Sequence, residues 1–451
     1  MYLTERFAAF IAGTNYDDLP KQVVDLAKER IMDTVGAAIA GSVNWEYASQ
    51  LREACKKLGS GSYGVIGGEE CYPAAHAAMI NATYAHSVEL DDGHKNAGCH
   101  AGAVVVPTAL TMAQALGRSG EELIAAVAIG YEVTYRIASH VNPAQINKGF
   151  HPSSNCGAYG AAAVAGKLLH LTEEQLACAL GQAGMLASGT MEATKSGQRA
   201  KCVQVGNAAY NGILAAYLAG SGMEGCLSAL EGPNGLFATQ SENVDVEDVC
   251  RDLGKVYTIG DTYNKMYPSC RHAQPGIEAA LDLGVEHKID PDEVAAIRIG
   301  THKVAYELTG IIKEPKNSGE AKFSLAYGSA VALREHSFGV SNLMKRSYTD
   351  PETLKLADKV TCEIDPEVQA VFPKKRGARV RIELQDGTVY EKELYDLKGS
   401  PDNPVSPEEL ARKFVTNAKA AMPEARVQQL LALLKRVETL TSVDEIAALL
   451  Y

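Results

Sequence analysis

Ten cysteines are scattered over 451 residues without one Cys-x-x-Cys pair. The closest early pair, Cys55 and Cys71, is too widely spaced for a zinc knuckle or an iron–sulfur ligand set. This pattern reads as free thiols and argues against an iron–sulfur hydro-lyase or a secreted disulfide framework. No Gly-x-x-x-x-Gly-Lys-Ser/Thr occurs and no Gly-x-Gly-x-x-Gly follows a strand, which disfavours nucleotide binding. No apolar run approaches a membrane span. The first residues carry Glu5 and Arg6 and lack the apolar core of a signal peptide, so a cytoplasmic location is expected. Positive charge is in deficit, with 43 Lys and Arg against 55 Asp and Glu. A net charge of −12 excludes a broad surface for nucleic acid or anionic membrane and makes any basic cluster a local site for a small anion. There is no internal repeat and no low-complexity linker.

What is present is ordinary for a globular chain long enough for two cores, with 46% hydrophobic and 22% charged residues. Up to about residue 260 the chain is rich in Ala, Leu and Gly at helical spacing, and an all-helical region is expected. Ser119-Gly-Glu-Glu122 and Thr172-Glu-Glu-Gln175 have capping-box form and should start buried helices. After Asp290-Pro-Asp-Glu the period changes to two, at Ile297 and Ile299, then Val360, Cys362 and Ile364, then Val380, Ile382 and Leu384 running into Asp386-Gly387. This predicts a small sheet with a hairpin. Ser406-Pro-Glu-Glu409 starts helix again, and Leu430 to Val437 continues it, so the C-terminus is expected to complete the first domain.

The densest chemistry lies between residues 86 and 100, which hold Glu89, Asp91 and Asp92 with His86, His94 and His100. Titratable groups near neutrality beside groups that tune them suit acid/base work. A second candidate is His151, between Phe150 and Pro152 ahead of a Gly/Ala-rich helix. A third is the stretch with Lys195, Arg199 and Lys201 before a helix, suited to carboxylate or phosphate. Lys265, Arg271 and His272 near the domain boundary and the segment Lys322 to Tyr327 complete the set. Each has a plainer reading: a solvated face for the cations, turn chemistry for Asp91 and Asp92, a surface position for Glu89, a core aromatic for Tyr327. Asp91, Asp92, His94 and His100 also offer metal ligands, but no His-x-x-x-His pair fixes a geometry, and no metal is expected.

Leu-Asp-Asp with a following His, Gly-Tyr-Glu-Val at 130–133, Gly-Phe-His at 149–151, Lys-Cys-Val-Gln-Val-Gly-Asn-Ala-Ala at 201–209, Leu-Glu-Gly at 230–232 and Lys-Met-Tyr-Pro-Ser-Cys at 265–270 together resemble the MmgE/PrpD family. The resemblance spans nearly the whole chain. It implies a mainly α, two-domain fold: a helical domain over 1–262 completed by 398–451, and a smaller α+β lid domain over 263–397. It further implies a homodimer and a cofactor-independent enzyme acting next to a carboxylate of a small di- or tricarboxylic acid. The expected activity is a lyase like 2-methylcitrate dehydratase or cis-aconitate decarboxylase, with an iminodisuccinate-type epimerase as the alternative. Carried onto this chain, the catalytic set would be Asp91, Asp92, His100, His151, Lys265 and Tyr327. Lys201, Arg199, Arg271, His272, Glu89 and His94 would bind substrate. Gly93 and Ala101 are where this chain leaves the Asp-Asp-Thr and His-Pro pattern of many members. Outside the family reading stand a metal-dependent hydrolase and a non-catalytic carboxylate-binding protein.

Overall fold

Reciprocal capping starts the helices where the sequence expects it. Ser119 accepts from the Glu122 N–H while Glu122 accepts from the Ser119 N–H, opening helix Gly120–Val141. Thr172 with Gln175 opens Glu173–Leu186, and Ser406 with Glu409 opens Pro407–Ala418. Each box satisfies N–H groups that a helix start otherwise leaves orphaned, contributing about 1 kcal/mol. The computed structural model describes residues 1–344 and 347–451. Among them no helix is long and apolar enough to cross a membrane.

Two hydrophobic cores result. The larger draws on residues from Leu3 to Ile259 and again from Val405 to Leu450, so the chain's last helices pack into the helical body. The smaller runs from Ala273 to Ile382. Its sheet joins β3 (Val294–Thr301), β4 (Val360–Ile364), β5 (Ala378–Leu384) and β6 (Val389–Leu394) in the order β4-β3-β5-β6. β4 runs parallel to β3, and the other pairs are antiparallel. Val294, Ile297, Ile299, Val380 and Ile382 point into the core that also takes helices Gln274–His287 and Leu325–Glu335. The strand Val389–Leu394 closes the hairpin expected at Asp386-Gly387, although no fully buried face marks its own residues. A third small cluster, Ala40, Val88, Leu90 and Val340, sits where the two bodies meet.

Two short strands, β1 (Gly93–His94) and β2 (Thr262–Tyr263), tie the 88–100 loop to the segment entering the second domain. A Cβ at Gly93 would lie 2.4 Å from the Tyr263 hydroxyl, so the residue that departs from the family pattern makes room for this pairing. Asp33 cross-links the same region, accepting from Asn264 Nδ2 at 2.7 Å and Lys413 Nζ at 2.5 Å, while Lys413 also donates to the Leu90 carbonyl.

Asp92 anchors the loop from below. Its carboxyl accepts from the Tyr131 hydroxyl at 2.5 Å and from the Gly102 N–H at 3.2 Å, at the start of helix Ala101–Ala115. A Cβ on Gly102 would meet Tyr131 Oη at 2.4 Å, Asp92 Oδ1 at 2.6 Å and Thr34 Oγ1 at 2.8 Å. Gly102→Ala is therefore expected to destabilise by about 1–3 kcal/mol in urea unfolding, as overpacking in a closed core does. Wild-type stability in that variant would show that the anchoring is not as tight as drawn.

Candidate active site

The site begins at a helix end. Helix Ala74–Ser87 delivers His86, and the loop beyond it bends back through Glu89, a non-glycine residue at φ +53°. This bend turns the Glu89 and Asp91 carboxylates toward the same place. His86 Nδ1 lies 2.7 Å from Asp91 Oδ2, and His100 Nδ1 lies 3.4 Å from that oxygen and 2.5 Å from the Asp92 carbonyl. A carboxylate and a carbonyl only accept, so each Nδ1 carries a hydrogen and donates it. His86 Nε2 is buried without a hydrogen-bond partner, 4.0 Å from Glu89 Oε1. The His100 and His151 rings stand 5.0 and 6.1 Å from that of His86.

His100 and His151 are both N-terminal caps, preceding helices Ala101–Ala115 and Pro152–Leu168. The bridge between Phe150 and Thr190 and the His151 N–H bond to Gly189 hold the second of these beside the 189–202 segment. That segment supplies Lys201, whose Nζ donates to Glu89. Lys265 donates to the other Glu89 oxygen at 2.8 Å and lies 3.8 Å from Asp91 Oδ1.

Electrostatics follow from this packing. Burial opposes ionisation of Glu89, but Lys201 and Lys265 outweigh it and hold the carboxyl well below its ordinary range. Asp91 is likewise held low against burial by His86, His100 and Lys265. Burial would depress the Lys265 ammonium, yet Glu89 and Asp91 hold it above its usual value. His100 is pushed down to about 3 by burial, with Lys265 and His86 adding to the effect against the pull of Asp91. His151 falls well below its normal value through burial and then Lys201. The result is two neutral imidazoles, His100 and His151, near the Lys265 ammonium.

Above this cluster a cavity of about 410 Å³ opens between the two bodies. His86, Glu89, Lys201 and Lys322 line it, with Lys195 and Arg199 from the same segment as Lys201. Lys322 is buried and donates to the Ser87 carbonyl at 2.7 Å.

Of the residues singled out in the sequence, Glu89, Asp91, His100, His151, Lys201 and Lys265 converge. Lys265 is 1% exposed and lies under the floor rather than in the cavity. Arg199 reaches the cavity edge but its guanidinium is committed to Glu46 at 3.0 Å and to the face of Tyr47. The other five lie elsewhere. Asp92 points away, into the Tyr131 and Gly102 contacts, and burial pushes its carboxyl up to about 7. Tyr327 is buried in the second domain's core instead of lining the cavity. His94 and Arg271 line a separate cavity, and His272 packs against His302. His86 and Lys322 are the site groups that sequence reasoning did not select, although both stand in segments it marked. A donor set of His86, Asp91 and His100, with ligand atoms within 4.8 Å of one another, replaces the metal set drawn from Asp92 and His94.

Comparison with known proteins bears on the family. The MmgE/PrpD N-terminal domain matches residues 5–248 and the MmgE/PrpD C-terminal domain residues 267–438. Among curated relatives, a cis-aconitate decarboxylase of Aspergillus terreus is 28% identical over 472 aligned residues, covering 99% of this chain and 96% of its own. The Mus musculus and Homo sapiens cis-aconitate decarboxylases are 26% and 28% identical, each covering 99% of this chain and 93% and 94% of their own. With both family domains matched in order along a two-domain, mainly helical chain, this protein belongs to the MmgE/PrpD family.

Proposed function

We propose that this chain is a lyase acting on a small di- or tricarboxylic acid, with decarboxylation of a cis-aconitate-like substrate as the leading reaction. The observation that carries the reading is the juxtaposition of His86, oriented by Asp91 and flanked by His100 and His151, with the ammonium groups of Lys201 and Lys322 at one cavity. The names of the curated relatives favour decarboxylation over dehydration. In this reading Lys201 and Lys322 bind substrate carboxylates, each charge-assisted bond contributing about 1.5–3 kcal/mol. Loss of CO₂ leaves an electron pair that spreads onto a neighbouring carboxylate, and the same cations stabilise it. A proton must then be delivered to carbon; in a dehydration one is removed from carbon and another given to the departing hydroxyl. His86 is placed to take a proton from solvent at Nε2 and give it to that carbon, with Asp91 accepting from Nδ1 and stabilising the imidazolium; in a dehydration the unprotonated Nε2 takes the proton from carbon, and His100 and His151 complete the proton-handling group. Lys265 acts through Glu89 and Asp91 as a positioning residue. The residues supply this chemistry without a cofactor.

Incubation in deuterated water with cis-aconitate, methylcitrate, citrate and iminodisuccinate, followed by proton NMR, is expected to show deuterium entering a carbon next to a carboxylate, with CO₂ released from cis-aconitate. Exchange without net reaction on iminodisuccinate would favour an epimerase, and no exchange on any acid would leave a carboxylate-binding protein. Activity lost on dialysis against a chelator would instead support a metal at His86, Asp91 and His100.

His86→Gln and His151→Gln are each expected to lower kcat by about 10²- to 10⁴-fold with the circular dichroism spectrum retained. Lys201→Met should raise KM by about 10- to 100-fold, the loss of one charge-assisted contact. Unchanged kinetics in Lys201→Met would remove the cavity from the reaction.

The pH dependence has a definite sign. A base works only when unprotonated, so a pKa pulled down to about 3 at His100 keeps that base competent at all pH values above it. Where His100 or His151 is the base, plots of kcat/KM, which report the free enzyme, should lack the acid limb near about 6.5 that an ordinary histidine gives. A limb there with the fold intact would assign the proton transfer to a group other than His100 or His151.

A further inference from the structure

The 88–100 loop and the 262–271 segment build a second cavity, of about 270 Å³, with residues 374–376 and 395–402 of the chain. Its charge is arranged by depth. Arg271 is 7% exposed and lies over the Tyr263 ring at 4.6 Å. Its guanidinium donates only to neutral acceptors: the Asn264 and Lys398 carbonyls, Gln274 Oε1 and Ser400 Oγ. Arg376 donates from Nη2 to the Lys95 carbonyl at 3.0 Å, and its Nε is buried without a hydrogen-bond partner. Neither guanidinium has a carboxylate within 4.0 Å among the described residues. His94, 3% exposed, adds an Nε2 without a hydrogen bond, 3.9 Å from Asp261 Oδ2. The acids of this cavity, Asp261, Asp396 and Asp402, are all exposed at the mouth, and Asp396 is already taken by Lys375 at 3.1 Å.

A buried guanidinium and a half-buried one, both without a counter-charge, are costly, and buried charges are normally paired or given a ligand. In a chain of net charge −12 their convergence with Lys95 and Lys374 on one small cavity is a local reversal of sign. We propose that this cavity is a binding site for a small multivalent oxyanion, a phosphate or a polycarboxylate, separate from the site of Glu89 and Lys201. The bound anion accepts from Arg376 and Arg271 at depth and meets Lys374 and Lys95 nearer the mouth. Arginine suits the role because its planar fork matches carboxylate and phosphate oxygens two at a time. Lys95 belongs to the helical body and Arg376 to the second domain, and they already bond to each other's segments, Lys95 Nζ to the Lys374 carbonyl and Arg376 to the Lys95 carbonyl. An anion here therefore bridges the two bodies and holds them in the arrangement that closes the first cavity.

The test uses the full chain carrying Lys201→Met, which removes a cation from the first cavity. Sodium phosphate and trisodium citrate are titrated separately by calorimetry at constant ionic strength, with sodium chloride as the control. One ion per chain is expected to bind and to raise the thermal midpoint, and adding Arg376→Gln should weaken it at least tenfold. Binding of phosphate alone identifies an inorganic ion as the ligand, and binding of citrate alone identifies a carboxylate. Equal affinity in the Arg376→Gln protein, no binding of either anion, or the same stabilisation by chloride would overturn the proposal. Should Arg376→Gln not fold, Lys374→Gln, at an exposed position, takes its place and is expected to weaken binding several-fold.

Discussion

Glu89 is the buried charge around which the two bodies are organised. It lies in the interior with both carboxylate oxygens engaged, one by Lys201 and one by Lys265. A single ionised group there is prohibitive, while a pair or triad with complete hydrogen bonding is tolerable, and removing one member typically costs about 3–5 kcal/mol. The left-handed backbone at Glu89 costs a further 1–2 kcal/mol or so, which persists only where surrounding contacts over-determine it. Satisfying this one carboxylate draws in three segments distant in sequence: the loop after helix Ala74–Ser87, the turn before helix Val203–Gly220, and the strand leading into the second domain. The cavity exists because those segments meet there.

Adjacent residues in the loop serve opposite purposes. Asp91 faces His86, His100 and Lys265 and stays ionised; Asp92, one residue on, faces Tyr131 and the start of helix Ala101–Ala115 and is pushed up by burial to about 7. An orienting carboxylate must be charged to hold an imidazole tautomer, whereas an anchoring one serves by accepting hydrogen bonds in either state. His94 then leaves in the opposite direction, through the β1–β2 ladder, to the second cavity. The loop thus connects two sites of different character through a backbone held rigid by Asp33, Lys413 and Tyr263.

This explains which parts were legible in the sequence. Capping boxes at Ser119, Thr172 and Ser406 are local signals with local causes, and they predict helix starts correctly. Three of the four strands of the second domain show in the alternation of buried positions, because one face of the sheet packs on helices. Density of titratable groups located the loop, and cation spacing located Lys201. Neither signal tells which way consecutive side chains point, since that depends on tertiary partners such as Tyr131 and Tyr263. Hence the sequence groups Asp92 and His94 with Asp91, and the place of His86 beside Asp91 shows only in the fold. Lys322 and Tyr327 differ for the same reason: they lie in one short motif, but helix Leu325–Glu335 carries Tyr327 into its domain's core and leaves Lys322 at the cavity.

Binding and proton transfer are linked through charge rather than through separate groups. Lys201 and Lys265 are among the causes that keep His151 and His100 neutral, respectively. A substrate with two or three carboxylates brings negative charge to Lys201, which lines the cavity, and partly cancels its field at His151. Each cancelled pKa unit is about 1.4 kcal/mol in favour of protonated histidine. The free site therefore holds bases, and the occupied site has a greater capacity to retain a proton and return it to carbon. A monocarboxylate of similar shape would deliver less charge and leave the imidazoles closer to their free state. On this argument the preference for polyanions arises at the proton-handling step as well as in binding, because substrate charge helps to set the protonation state that the chemistry needs.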